Sequence, residues 1–267
     1  MDRRPALSAE STLRHGLRVQ LRVIGALILR ELHTRYGREN IGYLWLIAEP
    51  MLLAGSVSLI HLGDPHHRGG ILPVPFALGG YCVFIIFRSI ITRAEGALHA
   101  NQPLLYHRMV TIFDMLAARA VLETASSTAA LFLLLAGACA LGVAEPPARP
   151  LVLLAALALM SWFSFALSMM VCAATYVSKM AHRLIHPVVY LAMPMSGAFF
   201  LLKWIPEPYR GWLSWVPLTQ IFELLRIGQF ESFDSPYVDP AYLVAWCLAL
   251  TLAGLACLRI VRRHIHL

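Results

Sequence analysis

Six apolar stretches, near residues 41–62, 71–90, 117–142, 151–177, 184–202 and 241–260, each approach the roughly 20 residues that a helix needs to cross about 30 Å of hydrocarbon. The chain has 267 residues, 58% of them hydrophobic and 14% charged, with a mean hydropathy of +0.65. That is more apolar surface than one water-soluble core can hide, so lipid is the expected solvent. The third stretch begins with Arg119 and Glu123, which are expected at headgroup depth. The fifth contains His186-Pro187 and Met193-Pro194, where a kink is expected because proline removes a backbone donor.

Orientation follows from the basic residues. Of the 22 lysines and arginines, only Arg68, Arg149, Lys203, Arg210 and Arg226 fall in the segments on one side. The rest lie before the first span, around the second-to-third connection, between the fourth and fifth, and around the end of the sixth. Positive charge gathers on the cytoplasmic side, so both termini are expected there. MDRRPALSAESTLRHGLRVQ holds arginines where the apolar core of a cleavable signal would lie, so the N-terminus is expected to be retained. Anionic headgroups account for the net charge of +7. Nucleic acid is excluded as a partner, because the arginines are spread along membrane edges instead of gathered on one face. The five cysteines, Cys82, Cys139, Cys172, Cys247 and Cys257, each stand alone in apolar sequence and read as core thiols.

The segment RELHTRYGRENIGYLWLIAEP, residues 30–50, leads charge directly into the first span. Upstream of it Leu17, Leu21, Ile24 and Ile28 share one helical stripe, with Arg14, Arg18 and Arg22 along an adjacent one. This is the pattern of a helix lying in the headgroup plane. The stripe continues into Glu31 and Arg35, an i,i+4 pair of opposite charge. The division expected is therefore a tail and interfacial helix over 1–40, followed by a spanning domain over 41–267. A helical anchor with surface arginines and a functional charged cluster both fit these residues.

Two connections stand out. Segment 88–123 reads as helix, break at Pro103, helix, and its mixed surface of Glu95, His99, Asn101, Gln102, Tyr106 and Arg108 suits either a docking site or a solvated connection. Segment 203–240 is too polar and proline-broken to span, yet holds Trp204, Tyr209, Trp212, Trp215, Phe222, Phe230, Phe233 and Tyr237. An aromatic belt at the interface and a re-entrant hairpin lining a path both fit. Catalytic signatures do not occur. The two lysines, Lys179 and Lys203, follow no glycine, so the GxxxxGK[ST] phosphate loop is absent, as are HExxH and GxSxG. Asp64, His66 and His67 fall in a short Gly/Pro loop and read as solvated, and no metal ligand set is assigned.

In sequence order, RELHTRYGRENIGYLWLIAEP, AEGALHANQPLLYHRMVTIFDMLAARAVLE and WIPEPYRGWLSWVPLTQIFELLR resemble the membrane permeases of bacterial capsular polysaccharide ABC exporters. More broadly they resemble the polysaccharide/polyol-phosphate permeases of the type 2 ABC exporter class. The matching positions are Arg30, Glu31, Arg35, Tyr36, Ile41, Gly42, Tyr43, Leu44, Trp45, Glu49 and Pro50, then Glu95 through Leu104, then Ala118, Arg119, Ala120 and Glu123. The outer Trp-Asn-Pro common in that family is Trp215-Val216-Pro217 here, so a polar role at that middle position is not carried over.

The resemblance implies an all-α membrane protein of six spans, with an N-terminal amphipathic helix and an outer re-entrant region between spans five and six. It implies a homodimer in the bacterial inner membrane, bound to a cytosolic ATPase that carries the ATP and magnesium, so that this chain holds no cofactor. The cargo implied is a lipid-linked polysaccharide, passed on to a periplasmic co-polymerase and an outer-membrane exporter. Arg30, Glu31, Arg35 and Tyr36 would form a cytoplasmic gate where a lipid headgroup enters. Glu95, Asn101, Gln102, Pro103, Tyr106 and Arg108 would couple to the ATPase. Trp45, Glu49, Tyr81 and Trp162 would face the channel, the aromatics offering flat faces to sugar rings. Trp204, Arg210, Trp212, Trp215, Glu223 and Arg226 would shape the outer exit. Export of O-antigen, teichoic acid or another lipid-linked glycan differs only in cargo. A membrane-embedded enzyme would need convergent catalytic groups at one depth, which the sequence does not supply.

Overall fold

Proline at the first helical position costs no hydrogen bond and presets the helical φ, and four long or medium helices here begin on one. They are those opening at Pro73, Pro150, Pro217 and Pro240. A computed structural model of the chain describes residues 9–36, 42–61, 71–101 and 110–264. Among them every regular element is helical: α1 (Ala9–Tyr36), α2 (Gly42–His61), α3 (Pro73–Ala94), α4 (Ala97–Ala100), α5 (Ile112–Ala140), α6 (Pro150–Val177), α7 (Lys179–Met195), α8 (Tyr209–Ser214), α9 (Pro217–Gln229) and α10 (Pro240–His264), with a 3-10 turn at Leu202–Trp204.

Among the described residues four helices are long and apolar enough to cross a membrane, namely α3, α5, α6 and α10 over Pro240–Arg263, and α2 carries a shorter apolar helix at Ile47–Ile60. The fifth apolar stretch of the sequence appears as α7, which has 17 residues and contains Pro187 and Pro194. Helix α5 starts earlier than its apolar stretch. Thr111 caps it: the Thr111 Oγ1 accepts from the Asp114 N–H at 3.2 Å, and the Asp114 carboxylate accepts from the Thr111 N–H at 3.1 Å. Arg119 and Glu123 therefore lie in the second and third turns of an established helix.

Helix α3 is the hub. Leu78, Cys82, Ile86 and Ile90 pack in one core with Leu131 and Leu135 of α5, Leu153, Leu157 and Met160 of α6, and Ile221, Phe222 and Leu225 of α9. A second core closes the end of the bundle where α4 lies, joining Leu27 of α1 to Ala94, Leu98, Leu116, Met169, Cys172 and Leu258. The apolar stripe of α1 divides accordingly, since Ile24 and Ile28 pack on this core while Leu17 and Leu21 remain exposed. A third, smaller core of Ile71, Phe76, Leu201, Phe230 and Phe233 closes the opposite end, beside α8.

Lipid tails are as apolar as leucine, so helices in a bilayer gain little by hiding methyl groups and much by close approach. Gly80 is such a point of approach. A Cβ there would collide with the Ala198 carbonyl oxygen and lie 3.2 Å from the Arg226 Nη2. Gly80→Ala is expected to cost on the order of 1–3 kcal/mol by overpacking, read as a lower thermal midpoint of the detergent-purified protein. Gly25→Ala, at a helical position with nothing within 4 Å, should instead raise it by up to about 1 kcal/mol.

Candidate functional site

The last carbonyls of a helix have no partner in their own ladder, and the end of α3 recruits one from another helix. Arg119 of α5 donates through Nη1 to the Arg93 carbonyl at 2.8 Å, and through Nε to the Glu31 carboxylate of α1 at 3.1 Å. The two side chains are 16% and 9% exposed, so the pair is largely removed from water. Arg93 extends the chain of charge, with its Nε 2.6 Å from the Glu123 carboxylate one turn further along α5. On the other side of Glu31, Arg30 donates to the Asn101 Oδ1 at 2.8 Å, and Asn101 Nδ2 donates back to the Ala97 carbonyl at 2.9 Å. Gln20 adds a further tie by donating to the Asp114 carboxylate at 3.0 Å. Helix α1 is thus fastened by polar bonds to both flanks of the α3–α4 corner.

Glu95, at the C-cap of α3, closes the corner from the opposite side. Its carboxylate is only 8% exposed and lies 3.0 Å from the His182 Nδ1 and 3.0 Å from the His186 Nε2. The two histidines stand four residues apart on α7, which places both rings on one face. Glu95 therefore turns inward to α7 instead of contributing a free carboxylate to the surface.

A polar cavity of about 300 Å³ opens beside this network. Its walls are Glu49, Pro50 and Leu53 of α2, Ile85 to Arg93 of α3 at five positions, Glu123, Ser126 and Ser127 of α5, and His186 of α7. Arg88 reaches out of α3 to the Tyr190 hydroxyl at 3.2 Å, with its guanidinium 5.2 Å from the centre of that ring. The Ser127 side chain is buried, and its Oγ has no hydrogen-bond partner among the described residues.

At the α8 end a different cation is enclosed. Arg226 is 1% exposed and donates to the Phe76 carbonyl at 2.6 Å and to the Ala198 carbonyl at 2.6 Å, with its guanidinium 3.6 Å above the Phe76 ring. Glu223, one turn before it, accepts from the Leu202 N–H at 3.0 Å. Gly197, at φ +86°, makes the turn that brings the Ala198 carbonyl to the guanidinium. Arg210 donates to the Leu202 and Ile205 carbonyls. Tyr209, Trp212 and Trp215 project outward, Trp212 at 79% exposure, and Trp204 is only partly covered.

Several of the sequence-predicted residues come together and others do not. Arg30, Glu31 and Asn101 join one network, and Glu49 lines the cavity. Trp45 is exposed on α2, Tyr81 lies against Phe199 with ring centres 6.4 Å apart, and Trp162 donates to the Thr251 Oγ1 at 3.0 Å. None of these three aromatics lines the cavity at Glu49. The side chains of Arg35 and Tyr36, and residues 102–109 with Gln102, Pro103, Tyr106 and Arg108, fall outside the described part, as do Asp64, His66 and His67. Among the described residues no cluster of metal-ligating side chains occurs. Sequence reasoning missed Arg88, Ser127, His182 and His186. The available signal was an arginine within two turns of the end of an apolar run, because such a charge must face a cavity or a partner.

Residues 22–230, which contain this network, the cavity and the Arg226 site, match the ABC-2 type transporter family. The chain belongs to this family. Similarity extends over nearly the whole length of curated relatives. The chain is 36% identical over 242 residues to the capsule polysaccharide export inner-membrane protein CtrC of Neisseria meningitidis serogroup B, covering 90% of this chain and 91% of that one. It is 33% identical over 247 residues to BexB of Haemophilus influenzae, of the same description, covering 92% and 93%. It is 34% identical over 255 residues to the polysialic acid transport protein KpsM of Escherichia coli, covering 92% and 96%.

The Glu31–Arg119 pair generates a quantitative expectation. Removing one member of a largely buried pair takes the opposing charge from the other, at up to about 3–5 kcal/mol, whereas removing both spares that penalty. Glu31→Ala is therefore expected to destabilise more than the Glu31→Ala, Arg119→Ala double variant, with a coupling of about 1–3 kcal/mol in a double-mutant cycle of chemical denaturation in detergent. Additive effects would show that the pair carries no coupling.

Proposed function

We propose that the chain is the permease subunit of an ABC exporter that moves a lipid-linked capsular polysaccharide outward across the bacterial inner membrane. The observation that carries this reading is the end-to-end similarity to capsule and polysialic acid export proteins, over at least 90% of this chain in each case. In this reading α2 and α7 join α3, α5, α6 and α10 as six spans, both termini are cytoplasmic, and the α8–α9 region is re-entrant from the outer side. The α4 end then faces the cytosol, in keeping with the basic residues gathered there.

A second copy completes the channel. Helix α7 buries only Val189, and Met180, Leu184, Val188, Leu191 and Met195, spaced by three and four, form an exposed apolar stripe on it. The exposed Trp45 and Leu52 of α2 offer a further apolar surface. A cytosolic ATPase supplies ATP, magnesium and the driving force, since this chain has no phosphate loop. It docks on the 88–123 segment, and the bonds from Arg119 and Asn101 to α1 pass its motion to the interfacial helix that gates the entrance. A periplasmic co-polymerase and an outer-membrane exporter receive the polysaccharide beyond the aromatic α8 region.

Two experiments test this. The purified chain is expected to hydrolyse no ATP alone and to show activity only when co-purified with its partner; turnover by the isolated chain that survives removal of every contaminating ATPase overturns the assignment. Single cysteines placed from position 95 to 108 are expected to crosslink the ATPase in membranes, while cysteines replacing Leu17 or Leu21 do not. The reverse pattern puts the docking site on α1.

A further inference from the structure

A guanidinium on a spanning helix is stable only where it meets an acceptor or water, and Arg88 sits six residues before the end of α3. Its recorded partners are neutral, the Tyr190 hydroxyl and ring, and among the described residues no carboxylate lies within ion-pair distance of it. The other arginine in the cavity wall, Arg93, is paired with Glu123, and His186 lies 3.0 Å from the Glu95 carboxylate. Among the described residues this cavity thus holds an arginine that makes no ion pair, with the Glu49 carboxylate on the same lining. It also holds an unpartnered donor, the Ser127 Oγ, on a residue 1% exposed. A hydroxyl buried without a partner is costly, and it becomes favourable once an acceptor arrives.

We propose that this cavity binds one phosphodiester headgroup, with the phosphate paired to Arg88 and accepting from Ser127. The rim supports an amphiphile: Pro50, Leu53 and Ile85 give an apolar flank for acyl chains beside the charged wall. Glu49, exposed on α2, lines the same cavity. It excludes a second anion and accepts from hydroxyls on the alcohol esterified to the phosphate. A monoanionic phosphodiester bearing hydroxyls satisfies all three features. Two sources carry that chemistry, a bulk phospholipid such as phosphatidylglycerol and the phosphate-bearing lipid anchor of the cargo. The permease reading bears only on which source it is.

The test uses the full chain purified with its ATPase, incubated with phosphatidylglycerol or with diacylglycerol of the same acyl chains, and examined by native mass spectrometry. Wild type is expected to retain one phosphatidylglycerol per chain and no diacylglycerol. Arg88→Gln is expected to weaken retention by about tenfold, as the loss of a charge-assisted hydrogen bond does, and Arg88→Lys by less. Ser127→Ala is expected to weaken it about threefold, with the fold intact. Retention by Arg88→Gln equal to wild type, or equal retention of diacylglycerol, overturns the proposal. So does a Ser127→Ala protein that gains thermal stability and binds unchanged, because the hydroxyl is then only an orphan. If Arg88→Gln does not fold, Arg88→Lys and Ser127→Ala carry the decision. Surface polysaccharide in cells separates the sources: loss of binding and display together assigns the cargo anchor, and loss of binding with normal display assigns the bulk lipid. Co-purification of the ATPase is read in the same spectra and answers for the permease assignment separately.

Discussion

A guanidinium taken out of water needs acceptors, and Arg93, Arg119 and Arg226 find theirs across helix interfaces instead of along their own helices. Two of the three take a backbone carbonyl at or just beyond the end of another helix. Arg119 takes a carbonyl in the last turn of α3, and Arg226 takes the Ala198 carbonyl that follows α7. The Arg93 carbonyl is at the negative pole of α3 and lacks a ladder partner, so Arg119 answers two deficits at once, while Arg226 satisfies a carbonyl in the turn after α7. The rest of the arrangement depends on this. Removing the cation would leave an unsatisfied carbonyl in a place that water reaches poorly.

The consequence for function is a division between two ends. At the α4 end, polar side chains link helix α1 to the corner formed by α3, α4 and α5, through Glu31, Arg119, Arg30 and Asn101. Any movement of that corner changes bonds made by α1. At the α8 end, Arg226 is sandwiched between the Phe76 ring and backbone carbonyls, and the Gly80 contact leaves no slack. One end is a polar network with alternatives nearby, and the other is a close-packed clamp.

Between them, α3 is enclosed by its neighbours while α7 and α10 keep much of their apolar surface exposed. In lipid such exposure is ordinary for α10, whose apolar residues surround it. On α7 the stripe from Met180 to Met195 accompanies two prolines and two histidines, a mixture less suited to hydrocarbon. That contrast favours protein over lipid as its neighbour in the assembled exporter.

Solvent class, helical architecture and the positions of the apolar helices were legible in the sequence, because each follows from runs of residues read within one helix length. The prolines at 73, 150, 217 and 240 even mark the helix starts. The Arg30, Glu31 and Glu49 cluster was legible as unusual, but its geometry was not. Periodicity points Glu31 at Arg35, whose side chain lies outside the described part, and it gives no sign of the partner that the structure adds, Arg119, 88 residues away. Glu95 looked like a surface carboxylate and is turned inward by His182 and His186 of a helix that the sequence places far downstream. Arg88 and Ser127 carry no local pattern at all and acquire meaning only by lining one cavity. The sequence by itself determined that this is an all-helical chain with several helices apolar enough for lipid, since transfer into lipid is a property of each segment. Only the tertiary structure decided which charges meet, since pairing inside a bundle depends on how helices cross, and no stretch of chain encodes that alone.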